Sequence, residues 1–349
     1  MSNLDSCGMD SCGIEVSAKE LLVRLRRQGD LEPLRNFSNT PEGREMVVRY
    51  LRRPGRVVRV CLESSGLYGL DLALALSAAA GLEVMVANPR AARHFAQALM
   101  KRSKNDPVDT GVLEEFAARM PFRAWARPSS AALALHALAR RLHELVEMQA
   151  AEKNRQHAAG LTETTPTVVR RDLARSLRAQ QRAIERLTRQ ARKLIAQDPQ
   201  LRERFELLDG MRGVGETSAV QLLGELAVLA PDLDARQWVA YAGIDPREYS
   251  SGSSVHKKTR ISKSGNKHLR HALFMPALVA VRYDPYLAAF YQHLLAKGKF
   301  KMQALVAVMR KLLHAIHAMF KNHQPYDGSK LFQLRPIPAQ EVPSASVAC

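Results

Sequence analysis

Four carboxylates, Glu15, Glu63, Asp106 and Asp109, lie at positions from which they can act on one ligand. Glu63 ends an apolar run, residues 57–62, and is followed by Ser64, Ser65 and Gly66. A strand over that run projects the Glu63 carboxylate at its carboxyl edge, where open α/β sheets bind ligands. Glu15 lies in another strand-like run, residues 12–16, and neighbouring strands are about 5 Å apart, so the two acids can stand side by side. Asp106 and Asp109, three residues apart at a helix start, share one helical face. Carboxylates gathered in this way repel one another unless a cation neutralises them, and hard oxygen ligands select Mg²⁺ or Mn²⁺. Two such ions about 3.5–4 Å apart stabilise both oxygens of a phosphoryl displacement. Taken singly, the same acids are local caps or surface charges, and Asp106 before Pro107 suits a helix cap by itself.

A second signature is a Gly-, Ser- and Lys-rich loop, residues 250–265. Ala242-Gly-Ile-Asp-Pro-Arg247 leads into Glu248-Tyr-Ser-Ser-Gly-Ser-Ser254, then Lys257-Lys-Thr-Arg-Ile-Ser-Lys-Ser-Gly-Asn-Lys-His-Leu-Arg270. A hydroxyl on such a loop is near cations able to stabilise the charge that develops when it attacks a phosphodiester. By composition alone the segment is a basic solvent loop. Upstream, Gly213 and Gly215 fall in a tight turn between helical segments, where backbone N–H groups can approach a phosphate without Cβ obstruction. That turn reads equally as an ordinary helix–helix connection and as a helix-hairpin-helix type contact with a DNA backbone.

Several elements must position these groups. Residues 12–16 read as a strand, 21–25 as its hairpin partner, 57–62 as a buried strand and 83–87 as another. A capped helix start at Thr40-Pro41 and good helix formers over 68–80 alternate with them, which is α/β order. From residue 128 to about 201 the pattern changes to long basic helices. Leu135, Leu138, Leu142 and Leu145, then Leu173, Leu177, Ile184, Leu187, Ala191 and Leu194, recur at helical spacing on either side of a break at 160–166. This predicts a helical hairpin with a coiled-coil seam. Residues 207–321 read as a mostly helical domain, and the Pro- and Ser-containing end beyond 324 as a poorly ordered tail. The expected boundaries are 1–125, 126–203, 204–323 and 324–349, with no internal repeat.

The 52 Lys and Arg against 34 Asp and Glu leave a formal charge of +18, which holds a polyanion through counterion release. Nucleic acid is therefore the leading partner, and the run of Arg170, Arg171, Arg175, Arg178, Arg182, Arg186, Arg189, Arg192 and Lys193, nearly without balancing acids, is the obvious phosphate face. The most apolar stretch, residues 66–89, is interrupted by Asp71 and Glu83, so no membrane span is expected. The polar, acidic beginning is unlike a secretory signal, and a cytoplasmic location is expected. Cys7, Cys12, Cys61 and Cys349 lack paired spacing and an adjacent His series, so no zinc site is expected and the thiols read as reduced.

Gly13-Ile-Glu-Val-Ser17, Leu62-Glu-Ser-Ser-Gly-Leu-Tyr-Gly69, Val86-Ala-Asn-Pro-Arg90 and Lys101-Arg-Ser-Lys-Asn-Asp-Pro-Val-Asp109 resemble the DEDD-transposase domain of the IS-one-ten-type insertion-sequence recombinases. The Pro-Arg…Ser-Gly…Ile-Ser-Lys-Ser-Gly-Asn…Leu-Arg series resembles the C-terminal transposase domain of the same family, in the same order, and the likeness runs over roughly residues 12–327. It implies an α/β, ribonuclease-H-like and resolvase-related first domain with Glu15, Glu63, Asp106 and Asp109 as ligands of Mg²⁺ or Mn²⁺. The family's usual first acid is Asp, and this chain has Glu15, one methylene longer. The resemblance implies a nucleophilic serine that bonds covalently to DNA: Ser251, immediately before Gly252, with Ser250 the close alternative. Arg247, Lys263, Asn266 and Arg270 would position phosphate, with Arg90, Lys101, Lys104, Gly213 and Gly215 as further nucleic-acid contacts. Asn154 and Arg155, on the first connector helix, are assigned to RNA. The resemblance further implies a homo-oligomer, dimer or tetramer, in which one subunit's acids meet another's serine, and an element-encoded guide RNA that pairs with donor and target DNA. A junction-resolving nuclease using activated water, and a nucleic-acid-binding protein without catalysis, are the competing expectations.

Overall fold

The structure is a computed structural model that describes residues 9–63, 66, 68–100, 105–251 and 255–334, of which 249–251 and 255–258 are described by backbone alone. They divide into two compact units at Arg127 and Pro128.

The first unit is built on one sheet. Its elements in chain order are β1 (Met9–Val16), β2 (Glu20–Arg27), β3 (Asp30–Leu31), β4 (Arg35–Ser38), α1 (Pro41–Leu51), β5 (Val57–Glu63), α2 (Leu70–Ser77), β6 (Leu82–Ala87), α3 (Pro89–Ala98) and α4 (Asp106–Arg119). The strands lie in the order β3-β2-β1-β5-β6, with β4 also paired to β2. β1 and β2 are antiparallel, whereas β1, β5 and β6 are parallel. Side chains of a strand alternate between faces, and here both faces are covered. Cys12, Ile14 and Val16 join Val58, Val60 and Leu62 in a core closed by Val47 and Leu51 of α1 and Leu72 and Leu76 of α2. The other face carries Gly13 and Cys61, and Cys61 packs with Leu113, Phe116 and Ala117 of α4. The expected strands and the Thr40-capped, Pro41-initiated helix are all present, the cap accepting from the Gly43 amide.

The second unit holds α5 (Ser130–Leu161), α6 (Thr167–Gln197), α7 (Pro199–Asp209), α8 (Glu216–Leu226), α9 (Ala235–Ala242), β7 (Pro246–Ser251), β8 (Val255–Ile261), α10 (Lys267–Tyr283), α11 (Pro285–Ala296), α12 (Lys301–Asn322) and a short 3₁₀ turn, Gly328–Lys330. One core runs through it: Leu135 and Leu142 of α5 and Ile184, Ala191 and Ile195 of α6 pack with Leu222, Leu223, Leu273, Leu312 and Ile316. The hairpin expected as a separate connector thus shares its base with the helical unit. From 146 to 183 no residue is buried, so the outer part of α5 and α6 projects as a solvated arm. The expected loop over 250–265 is instead largely a two-stranded antiparallel ribbon, β7 on β8, with Ser250 opposite His256 and Ser251 opposite Val255. Residues 252–254 and the expected tail beyond 334 lie outside the described residues.

Candidate active site

Packing of α4 on the sheet determines where the four acids fall. A Cβ on Gly13 would lie 2.2 Å from the Thr110 carbonyl oxygen and 2.3 Å from the Glu114 nitrogen, so α4 crosses β1 in direct backbone contact that only glycine permits. Two residues back along β1, the Ser11 hydroxyl donates to Glu114 Oε1 at 2.5 Å. Stepping from Ser11 to Gly13 therefore moves from Glu114 back to Thr110, and α4 runs antiparallel to β1. Two strand residues rise about 6.6 Å and one helical turn about 5.4 Å, so the next step brings the first turn of α4, with Asp106 and Asp109, over Glu15. Glu114 fixes this overlap: 1% exposed, it accepts Arg26 Nε at 2.8 Å and Nη2 at 3.0 Å as well as Ser11.

The same register supplies Glu63. β1 and β5 pair from Met9 opposite Val57 to Ile14 opposite Leu62, so one further residue sets Glu15 beside Glu63 on the α4 face at the carboxyl edge. Glu63 in turn pairs with Ala87, after which Asn88 caps α3 and brings Arg90 to the same edge. Asn105, rather than Asp106, caps α4 by accepting from the Val108 amide at 3.0 Å. Asp106 is thereby left in the first turn, exposed, where the helix dipole favours negative charge. Lys101 and Lys104 lie outside the described residues.

The donor set fits a hard divalent cation: four carboxylates, no thiol or imidazole, at a solvent-accessible strand edge. Backbone placement brings the acids to one edge, but their oxygens do not close into a ligand set. Among the described residues the group of three or more ligating side chains already gathered is His143, Glu147 and His271. The other acid of β1, Asp10, shows the contrasting fate. At the amino end of the sheet it is 2% exposed and takes Arg56 Nη2 at 2.6 Å and Nε at 3.1 Å. Burial would raise its carboxyl, but the Arg56 and Gln28 hydrogen bonds outweigh that and hold it below the usual range.

In the second unit, the motif residues divide between scaffold and surface. Gly213, at φ 94°, is where the turn before α8 presses on α10, since a Cβ there would meet Ala280 N and Pro276 O at 3.2 Å. Gly215 is the N-cap of α8 and has open space around it. Asn266 caps α10 through Oδ1, accepting from His268 and Leu269 at 2.8 and 3.1 Å, while its Nδ2 donates to Glu225 Oε2 at 2.5 Å and Tyr241 Oη at 3.1 Å. Arg270 Nη1 donates to the Ala242 carbonyl at 2.8 Å. Ser262 donates to Asp245 at 2.6 Å, and a Cβ on Gly265 would lie 2.2 Å from the Tyr241 oxygen. The segment 262–266 is thus clamped on the end of α9. Arg247 and Lys263 remain exposed, Lys263 at φ 51°, and the backbone of Ser250 and Ser251 ends β7.

Sequence reasoning missed Glu225. It is 2% exposed and accepts Arg140 Nε at 3.0 Å as well as Asn266, tying α5, α8 and the cap of α10 together. On the arm, Asn154 and Arg155 are exposed, with Arg155 paired to Glu152 at 2.7 Å. Arg175, Arg178, Arg182, Arg186 and Arg189 line α6, exposed and paired with no acid among the described residues.

Comparison with known proteins assigns both parts of the chain. The family described as "Transposase IS116/IS110/IS902 family" matches residues 205–292, and a DEDD "Transposase" model of the IS110 type matches residues 12–166. The pilin gene-inverting protein of Moraxella bovis is 31% identical over 247 residues, 70% of this chain and 74% of that protein, and the protein of the same name from Moraxella lacunata shows the same figures. An uncharacterized 43.6 kDa protein of insertion element IS110 in Streptomyces coelicolor is 32% identical over 141 residues, 40% of this chain and 35% of that one. An acidic sheet edge and a basic helical unit in one chain, with both matches, define a transposase, an enzyme that recombines DNA. The chain belongs to the IS110 family of these enzymes. Its DEDD domain implies use of a divalent metal, and no described helix is long and apolar enough to cross a membrane.

Proposed function

We propose that this transposase cleaves and rejoins DNA through a covalent serine–DNA intermediate, directed by an element-encoded guide RNA and assisted by Mg²⁺ or Mn²⁺ at Glu15, Glu63, Asp106 and Asp109. The observation that carries the reading is the register that puts Glu15 beside Glu63 beneath the first turn of α4. Bound there, the cation would neutralise charge on the phosphate oxygens as it builds. Ser251, with Ser250 the alternative, supplies the nucleophile at the end of β7. Its Oγ forms a bond to phosphorus as the bond from phosphorus to the leaving nucleotide oxygen breaks; the serine proton passes to solvent and the leaving oxygen takes one up. A hydroxyl of the second DNA strand then attacks the phosphoserine, reversing those bonds and freeing the serine. Arg247 and Lys263, exposed beside the ribbon, contact the phosphate, whereas Asn266 and Arg270 hold the segment that carries them.

The rest of the reading follows the same lines. The antiparallel β3-β2-β1 half and parallel β5-β6 half support a ribonuclease-H-like assignment for residues 1–125. Residues 126–203 serve as the coiled-coil connector, whose α6 arginines at 175, 178, 182, 186 and 189 suit guide RNA and DNA backbones, and 204–323 as the serine domain. The working form is a cytoplasmic homo-oligomer, with acids and serine drawn from different subunits. The test is to incubate the full chain with its guide RNA, labelled DNA and Mg²⁺, then isolate protein under denaturing conditions. Labelled protein is expected from the wild type and its loss from Ser251→Ala. Adduct persisting in both Ser251→Ala and Ser250→Ala overturns the serine assignment, and nicked DNA with no adduct favours activated water.

A further inference from the structure

A second metal-ligating group stands at the base of the arm, in the second unit. His143 and Glu147 are four residues apart on one face of α5, and His268 and His271 are three apart on α10, so each helix presents its pair toward the other. Glu147 Oε1 lies 3.5 Å from His143 Nε2 and 3.4 Å from His271 Nδ1, and the three ligating atoms are all within 4.8 Å of one another. Four-coordinate zinc with bonds of about 2.0–2.1 Å holds its donor atoms about 3.3 Å apart, and the centres of two imidazoles bound to it about 5 Å apart. The His143 and His271 ring centres are 5.2 Å apart, and the His143 and His268 centres 4.8 Å. Glu147 is thus near ligand spacing from both imidazoles, and the ring centres are as far apart as those of imidazoles sharing one zinc.

The polar bookkeeping points the same way. His143 is 7% exposed, and its Nε2, the atom nearest Glu147, is buried without a hydrogen-bond partner, as is Nδ1 of His268. A buried ring nitrogen with no partner is costly unless something else occupies its lone pair. Glu147 and His271 are both exposed, which leaves an entry path from solvent.

We propose that His143, Glu147 and His271 bind a late first-row divalent cation, Zn²⁺ foremost, that clasps α5 to α10, with water or His268, whose ring packs on His143, in the fourth position. Two imidazoles and one carboxylate select this class over Mg²⁺, whose preference is for oxygen. The cysteine spacing gave no hint of it, because no thiol takes part. α10 begins at the Asn266 cap, directly after the clamped segment 262–265, so the ion fixes the base of the arm to the helix that anchors the ribbon.

The test uses the tag-free full chain titrated with Co²⁺, which reports tetrahedral nitrogen-containing sites through an intense visible d–d band and is displaced by Zn²⁺. One equivalent is expected to develop that band, unchanged in the Glu63→Gln, Asp106→Asn double variant and unaffected by excess Mg²⁺. His271→Ala, at an exposed position and checked for folding by circular dichroism, is expected to weaken binding by more than the roughly 10–100-fold typical of changes behind the ligands. Zn²⁺ should raise the melting temperature of the wild type and not of His271→Ala. No tetrahedral band, a band that survives in His271→Ala, or a thiolate charge-transfer band overturns the proposal. None of these outcomes depends on the serine or guide-RNA readings.

Discussion

In the acidic edge of the first unit, each candidate ligand lies one step beyond a residue that packing has already fixed. Glu15 follows Ile14 and Glu63 follows Leu62, both fully buried or nearly so, and Asp106 lies one turn before Thr110, which touches Gly13. In the ribbon of the second unit the motif instead mixes scaffold and surface within one short segment. Asn266 and one guanidinium nitrogen of Arg270 donate to the protein, while Arg247 and Lys263 face solvent. The difference teaches that residue type marks a region, and a hydrogen-bond census decides which of its members are free to meet a ligand.

The largest effect that would break this contrast is loss of chemistry without loss of fold. Glu63→Gln or Asp106→Asn is expected to slow DNA cleavage by about 10²–10³-fold, the scale of removing one preorganised charge, with an unchanged denaturation midpoint. Gly13→Ala removes no acid but drives a methyl into the α4 backbone; urea denaturation should show a loss of about 1–3 kcal/mol or more, and cleavage should fall with it. If Gly13→Ala were neutral, the overlap of α4 and β1 would not be what positions Asp106.

On the ribbon side, Asn266→Ala is expected to cost about 1–3 kcal/mol in the same assay, because it strips a cap and leaves the buried Glu225 short of a donor. Its DNA binding should keep the wild-type salt dependence. Arg247→Ala should do the reverse, leaving stability within about 0.5 kcal/mol and lowering the slope of log affinity against log salt by about one. The smallest effect separates Asp10 from Glu15 on the same strand. Because the Asp10 carboxyl is held below its ordinary value, it contributes stability above the unfolded pKa of about 3.9 that is lost as pH falls through the lowered folded value. Asp10→Asn should therefore flatten the acid limb of a stability profile.

Much of the first unit was legible because burial writes itself into the sequence as alternation and caps. The apolar runs of β1, β5 and β6, the Thr40-Pro41 start and the two aspartates after Asn105 all carry local signals. β3 and β4 were not legible, being short, polar edge strands held by β2 alone. The β7–β8 ribbon was read as loop because serine, lysine and glycine dominate a segment whose pairing, not its composition, makes it a strand pair. Buried acids were hidden for a different reason. Glu114 and Glu225 look like solvated helix charges, and their arginine partners are 88 and 85 residues away. Motif order drew attention to Asn266 and Arg270, yet only the packed chain shows Asn266 bonded to amides and a buried carboxylate, and Arg270 to the Ala242 carbonyl.

Electron paramagnetic resonance of Mn²⁺ titrated into the full-length chain tests most directly whether the four acids act as one site. Mn²⁺ should bind the wild type, be displaced by Mg²⁺, and lose affinity at least about tenfold in Asp106→Asn and equally in Glu63→Gln, residues far apart in sequence but gathered by the β1–β5 register and the packing of α4 on β1. Binding that is unchanged in both variants would contradict the account.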